Sequence, residues 1–111
     1  MTMKLKRQTL NHIPTVKISG SVSGKDAMVL SDELRAVCES DSSRVVVDLS
    51  ETVNMDSSAM GVIIYWWKNL KQQSRRLVLF NPRCAVLEML ETTNLDKLIS
   101  VIDSAEKLST G

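Results

Sequence analysis

Histidine occurs once in the 111-residue chain and cysteine twice, as Cys38 and Cys84 with no CxxC spacing. One imidazole and two isolated thiols do not assemble a zinc site, and such sparse cysteine fits a reduced, cytoplasmic protein. Proline and glycine are scarce, 2 and 4 residues, and sit at apparent boundaries, so no long linker or low-complexity tract is read. Neither sign of charge dominates. Lys plus Arg is 14 and Asp plus Glu is 13, a net charge of +1, which argues against duplex DNA or an anionic membrane as the main partner. The longest apolar run, Val62 to Trp67, is six residues, against the roughly 20 a membrane-spanning helix needs. Residues Met1 to Gln8 have no apolar stretch behind their charges, so no secretion signal is expected. What remains is ordinary globular usage, 43% apolar and 24% charged, enough for one domain over residues 1–111.

The apolar period then gives the elements. Thr15-Val16-Lys17-Ile18-Ser19 alternates as a half-buried strand does, and Met3, Leu5 and Arg7 alternate more weakly before it. With Asn11-His12-Ile13-Pro14 as the turn, the two make an opening hairpin. From Asp26 the period lengthens. Ala27, Leu30, Leu34, Val37 and Cys38 mark one helix face, which the cluster Glu39 to Ser43 ends. Val45-Val46-Val47-Asp48-Leu49 is β-branched without alternation, the pattern of a central strand covered on both faces. A second helix starts at Asp56 to Ser58. Its core positions are Ala59, Val62, Ile63, Trp66 and Leu70, with a second stripe at Met60, Ile64 and Trp67. Leu77 to Phe80 is the next strand, a helix follows through Val86, Leu87 and Leu90, Leu98 to Ile102 is a last strand, and Asp103 caps a brief terminal helix. The order ββαβαβαβα predicts an α/β fold with a mixed, mostly parallel β-sheet carrying an antiparallel hairpin.

The second helix start is the most informative site. A helix N-terminus presents unpaired N–H groups and about half a positive charge, and so accommodates an added phosphate. A serine in Asp56-Ser57-Ser58 is a candidate phosphoacceptor, although spacing alone favours simple capping. Catalytic alternatives are poorly equipped. No GxSxG, GxGxxG or GxxxxGK is present, His12 lies in a turn, and Asp32-Glu33 and Glu88 with Glu91 read as solvated charge. Tyr65, Trp66 and Trp67 are contiguous. Three neighbours span about 200° of a helix, so at least one must point away from the core. Trp66 suits the core, and Trp67 with Met60 and Ile64 suits an interface. Lys68, Lys71, Arg75 and Arg76 read as a solvated helix end complementing its dipole rather than an RNA surface.

These residues resemble the STAS domain family, in the form of its anti-sigma factor antagonists. The family's pattern is a hydrophobic strand ending in Asp-Leu-Ser, then Asp-Ser-Ser-Gly-Leu-Gly and an apolar helix. Here it reads Val45-Val46-Val47-Asp48-Leu49-Ser50, then Met55-Asp56-Ser57-Ser58-Ala59-Met60-Gly61-Val62-Ile63. Ala59-Met60 replaces Gly-Leu. Gly20-Ser21-Val22-Ser23 stands where antagonists carry Gly-Glu-Leu-Asp, so Ser23 replaces an acid found near the phosphoacceptor.

The resemblance implies a STAS-like fold for a single domain and a non-enzymatic, cytoplasmic bacterial switch protein without cofactor. Such a protein binds a kinase-type anti-sigma factor and so regulates transcription by partner switching. Ser57 falls at the phosphorylated position. The implied partners are the anti-sigma factor serine kinase and a phosphatase, with no nucleic acid and no membrane insertion. The expected docking surface is Asp56, Ser57 and Ser58, the stripe Met60, Ile64 and Trp67, and the loop with Ser21, Ser23, Gly24 and Lys25. The alternative is a STAS subunit that docks in a transport or stress-sensing complex without phosphoryl control. Ser23 favours it.

Overall fold

The computed structural model describes residues 2–108. In chain order the elements are β1 (Lys4–Leu10), β2 (Ile13–Val22), α1 (Ala27–Cys38), β3 (Arg44–Met55), α2 (Ser57–Gln72), β4 (Arg76–Phe80), α3 (Cys84–Thr92) and β5 (Ser100–Ile102). Short 3-10 turns lie at Gly24–Asp26, Leu95–Lys97 and Ala105–Leu108. The strands form one sheet in the order β1-β2-β3-β4-β5. β1 runs antiparallel to β2, and every other neighbouring pair is parallel. The expected sheet is therefore present with β3 at its centre, and the last expected helix is a 3-10 turn.

The hairpin turn is tighter than the sequence suggested. Asn11 and His12 alone make it, both at positive φ (52° and 67°). That is the pair of left-handed residues which matches the twist of a two-residue hairpin. Ile13 and Pro14, expected in the turn, belong to β2 opposite Leu10 and Thr9. Pro14 fits there because Thr9–Pro14 lies one step beyond the closing pair, where an antiparallel ladder needs no N–H from it.

In β3, Val45, Val47 and Leu49 join the main core with residues of α1, α2 and α3. Val46 faces the other side of the sheet with Val78, Ile13 and Leu108. Both faces are covered, which explains the unbroken apolar run. The strand continues past Leu49 to Met55, taking in what the sequence suggested was a connection. Asp48 is buried on that second face, and its carboxylate is satisfied. Oδ1 accepts from the Ser50 N–H (2.9 Å) and hydroxyl (2.6 Å), and Oδ2 from Gln8 Nε2 (3.3 Å).

The C-terminal expectations need correction. Leu98 and Ile99 are not in the last strand, because both donate their N–H to Leu95 O (3.0 and 2.9 Å) in closing the 3-10 turn. The ladder therefore begins only at Ser100, opposite Val78. Ser104 rather than Asp103 caps the terminal turn, its hydroxyl accepting from the Glu106 N–H at 3.2 Å. Asp103 instead pairs with Lys107 Nζ at 2.7 Å.

Candidate functional site

β3 delivers the chain to Asp56 at the carboxyl end of the parallel strands, the edge where open α/β sheets place ligands. Asp56 is extended (φ −86°, ψ 174°) and is the N-cap of the 16-residue helix α2. Its carboxylate has two occupations. Oδ1 accepts from the Ala59 N–H at 2.9 Å, and Oδ2 accepts from the Gly24 N–H at 2.8 Å. Its own N–H donates to Val22 O at 3.1 Å. One residue thus joins the end of β2, the turn after it and the first turn of α2.

That turn is also braced internally. Asp26 Oδ2 accepts from the Ser23 N–H at 3.0 Å and the Ser23 hydroxyl at 3.3 Å, and the Asp26 N–H donates to Ser23 O at 2.9 Å. A Cβ on Gly24 would stand 3.4 Å from Ser58 Cβ and 3.5 Å from its Oγ. The turn therefore lies over Ser58 with room for about one methyl group between them. Asp56, Ser57, Ser58, Gly24 and Lys25 are exposed, and Ser23 is half-buried.

Two expected members of the surface are placed differently. Ser21 is a half-buried residue of β2 paired with Asn54, not part of the loop. Met60 is buried, 3% exposed, because the inward stripe of α2 is Ala59, Met60, Ile63, Trp66 and Leu70. Val62, expected in the core, is half-buried instead. Ile64 and Trp67 are half-buried against the main core. Tyr65 is the aromatic that points outward, 58% exposed, with its ring edge-on to Trp66 at 5.1 Å.

The outward side of α2 instead borders a cleft of about 400 Å³ shared with α1, lined by Ser58, Gly61, Val62, Tyr65 and Trp66 on one wall and Ser31 and Arg35 on the other. Trp66 Nε1 donates to Ser31 Oγ at 3.1 Å and ties the two walls together. Met28, 77% exposed, lies one turn before Ser31 on α1. Met28 and Val29 are exposed apolar residues of α1 outside its buried face of Leu30, Leu34 and Val37.

The other candidates resolve as structure. Arg75 is half-buried and bonds three carbonyls, Cys38 O and Ser40 O at 2.7 Å and Ser42 O at 2.9 Å. Lys71 Nζ lies 5.0 Å from the centroid of the Trp67 ring. His12 is exposed in the hairpin turn, at the end of β2 away from Asp56. Glu33 pairs with Arg7, and Asp32 lies 3.5 Å from Arg35. Both cysteines are free. Burial pushes the Cys38 thiol up to about 11 against the opposing pull of Arg75, and Cys84 is exposed. Among the described residues no group of three or more His, Cys, Asp or Glu could hold a metal ion, and no helix is long and apolar enough to cross a membrane.

This sheet, with a helix start exposing two serines at its carboxyl edge, has relatives. The family model described as "Mlab, STAS domain" matches residues 6–101. The chain belongs to the STAS domain family. An anti-sigma-B factor antagonist of Listeria monocytogenes is 25% identical over 101 residues, covering 91% of this chain and 88% of the relative. Among solved structures, an anti-sigma factor antagonist from Mycobacterium paratuberculosis superposes with a TM-score of 0.85 at 18% identity, covering 98% of this chain and 92% of that one. The antagonist SpoIIAA in its unphosphorylated form gives a TM-score of 0.67 at 18% identity, over 98% of this chain and 94% of that one. SpoIIAA of Bacillus in its phosphorylated form gives 0.66 at 16% identity, over 98% of each chain.

Proposed function

We propose that this protein is a non-enzymatic, cytoplasmic anti-sigma factor antagonist, a single STAS domain that binds a kinase-type anti-sigma factor and is released when Ser57 is phosphorylated. One observation carries the reading. Asp56 alone supplies the side-chain cap of α2, by its 2.9 Å bond to the Ala59 N–H, so Ser57 and Ser58 are exposed beside a cap they do not provide. The names of the Listeria and SpoIIAA relatives support it. ATP belongs to the partner, and a phosphatase returns the protein to its binding form. A phosphate adds about −1.5 to −2 charges. At the helix start that charge costs the free protein little, whereas against a docked partner it must be desolvated.

The docking surface in this reading is Ser23, Gly24, Lys25, Asp56, Ser57 and Ser58, continued by Gly61, Val62 and Tyr65 in place of the buried Met60. Ile64 sits at its margin beside Gly61, whereas Trp67, about 180° around α2 from Ser58, lies on the other flank against the main core. A second reading, a STAS subunit that docks without phosphoryl control, is favoured by Ser23 at the position of the family's acid. The carboxylate of this turn, Asp26, is already engaged by the Ser23 N–H and hydroxyl.

A pull-down from host lysate with mass-spectrometric identification tests the choice, combined with the intact mass of the protein purified from its host. The first reading expects an ATP-binding anti-sigma factor on the bait and a population heavier by one phosphate on Ser57. A transport or stress-complex subunit with no phosphorylated form would replace it by the second.

A further inference from the structure

We infer that Asp56 is a positioning residue that latches the Ser23–Asp26 turn to the start of α2, so that Lys25 and Ser57 are presented on one preformed surface. The inference deepens the proposed function, on which its consequence for binding rests. The latch itself is a property of the free protein.

The chemistry of the carboxylate carries it. An ionised Asp accepts with both oxygens and donates with neither. Here one oxygen takes the Ala59 N–H at 2.9 Å and the other the Gly24 N–H at 2.8 Å, from segments 32 positions apart in the chain. An ordinary N-cap needs only the first bond, and a serine or threonine could make it. The second bond has no role in the helix. It holds the turn against the N-cap of α2. Gly24 stands on Ser58 at a distance where its missing Cβ would just reach contact, 3.4 Å from Ser58 Cβ and 3.8 Å from Asp56 Oδ2. The far side of the turn is closed by Asp26 on Ser23, so the Gly24 N–H is the point at which the braced turn meets the helix.

Asparagine separates the two bonds. Its amide has one acceptor oxygen, and its NH2 group cannot accept from a second N–H. Asparagine is also a strong N-cap, so the oxygen stays on Ala59 and the Gly24 bond is lost. The test is amide hydrogen exchange by NMR on the full-length free protein, for wild type, Asp56→Asn and Asp56→Ala. In Asp56→Asn, exchange at Gly24 should accelerate about tenfold or more, the scale of a hydrogen bond to a charged acceptor, while Ala59 stays within about threefold. In Asp56→Ala both should accelerate. A residue that only caps the helix would move Ala59 in Asp56→Ala alone and leave Gly24 unchanged in both variants, and that result overturns the inference. Phosphorylation of Ser57 or capture of the anti-sigma factor is then measured with Asp56→Asn. Loss of either supports the positioning role. Undiminished binding with Gly24 deprotected overturns that role, and wild type that neither binds nor is phosphorylated overturns the functional reading while the exchange result stands.

Discussion

The two ends of the parallel sheet are closed by opposite charges. At the carboxyl end an anion, Asp56, gathers backbone donors, the N–H groups of Gly24 and Ala59. At the amino end a cation, Arg75, gathers backbone acceptors, the carbonyls of Cys38, Ser40 and Ser42 around the end of α1 and the start of β3. Each side chain offsets the helix terminus of matching need, donors at a start and acceptors at an end. The difference lies in what each leaves outside. Arg75 is half-buried and each of its three nitrogens donates to a backbone carbonyl, so that end is scaffold. Asp56 is exposed, and two serine hydroxyls stand beside it. A basic cluster is therefore poor evidence of a ligand site until its donors are traced, and an acid before two serines can do more than cap.

The comparison can be broken at either end. The largest effect is expected at Arg75. Arg75→Ala should cost about 2–3 kcal/mol in urea unfolding, since a charged donor is withdrawn from three carbonyls. Arg75→Lys should recover little of it, because an ammonium lacks the planar fork. A loss below about 0.5 kcal/mol would return Arg75 to the solvated surface. At the other end Asp56→Ala should cost less, about 1–2 kcal/mol, the usual range for a lost N-cap. Equal costs for the two would remove the distinction between scaffold and site.

Smaller still is the change expected at Gly61, in the middle of α2, where an added Cβ meets nothing within 4 Å. Gly61→Ala should stabilise the free protein by roughly 0.5–1 kcal/mol through helix propensity, read as a rise in melting temperature. A fall would mean that the cleft beside it closes. The cysteines should differ in reactivity without affecting stability. At pH 8 a thiol reagent should modify Cys84 and spare Cys38. Burial raises the Cys38 pKa to about 11, so its reactive thiolate forms only as pH approaches that value, or on unfolding. Two equivalents of fast-reacting thiol in the native protein would contradict the burial of α1's last turn.

Much of this was legible from periodicity. Leu30, Leu34 and Val37 fixed the buried face of α1, and the β-branched run at Val45 marked the central strand. The misreadings share one cause, local pattern outvoted by partners distant in sequence. Met60 and Val62 lie about 200° apart around α2, and the buried stripe of Ala59, Met60, Ile63, Trp66 and Leu70 shows which of them the packing took. Leu98 and Ile99 look like strand, yet their N–H groups are taken by Leu95. The helix start marked its serines as candidates, the family pattern alone singled out Ser57, and Asp56 was read as a cap. Its second bond, to Gly24, has no sequence signature because it joins two loops.

The most direct test of the central claim is a calorimetric titration of the captured anti-sigma factor with Ser57→Ala and Ser57→Asp. The hydroxyl adds at most one hydrogen bond of about 0.5–1.5 kcal/mol, so Ser57→Ala should bind within roughly tenfold of wild type. Ser57→Asp should keep its fold, because its charge suits the helix start, and bind about a hundredfold more weakly or worse, because the carboxylate is desolvated on docking. Equal affinities for the two variants would contradict a switch at Ser57.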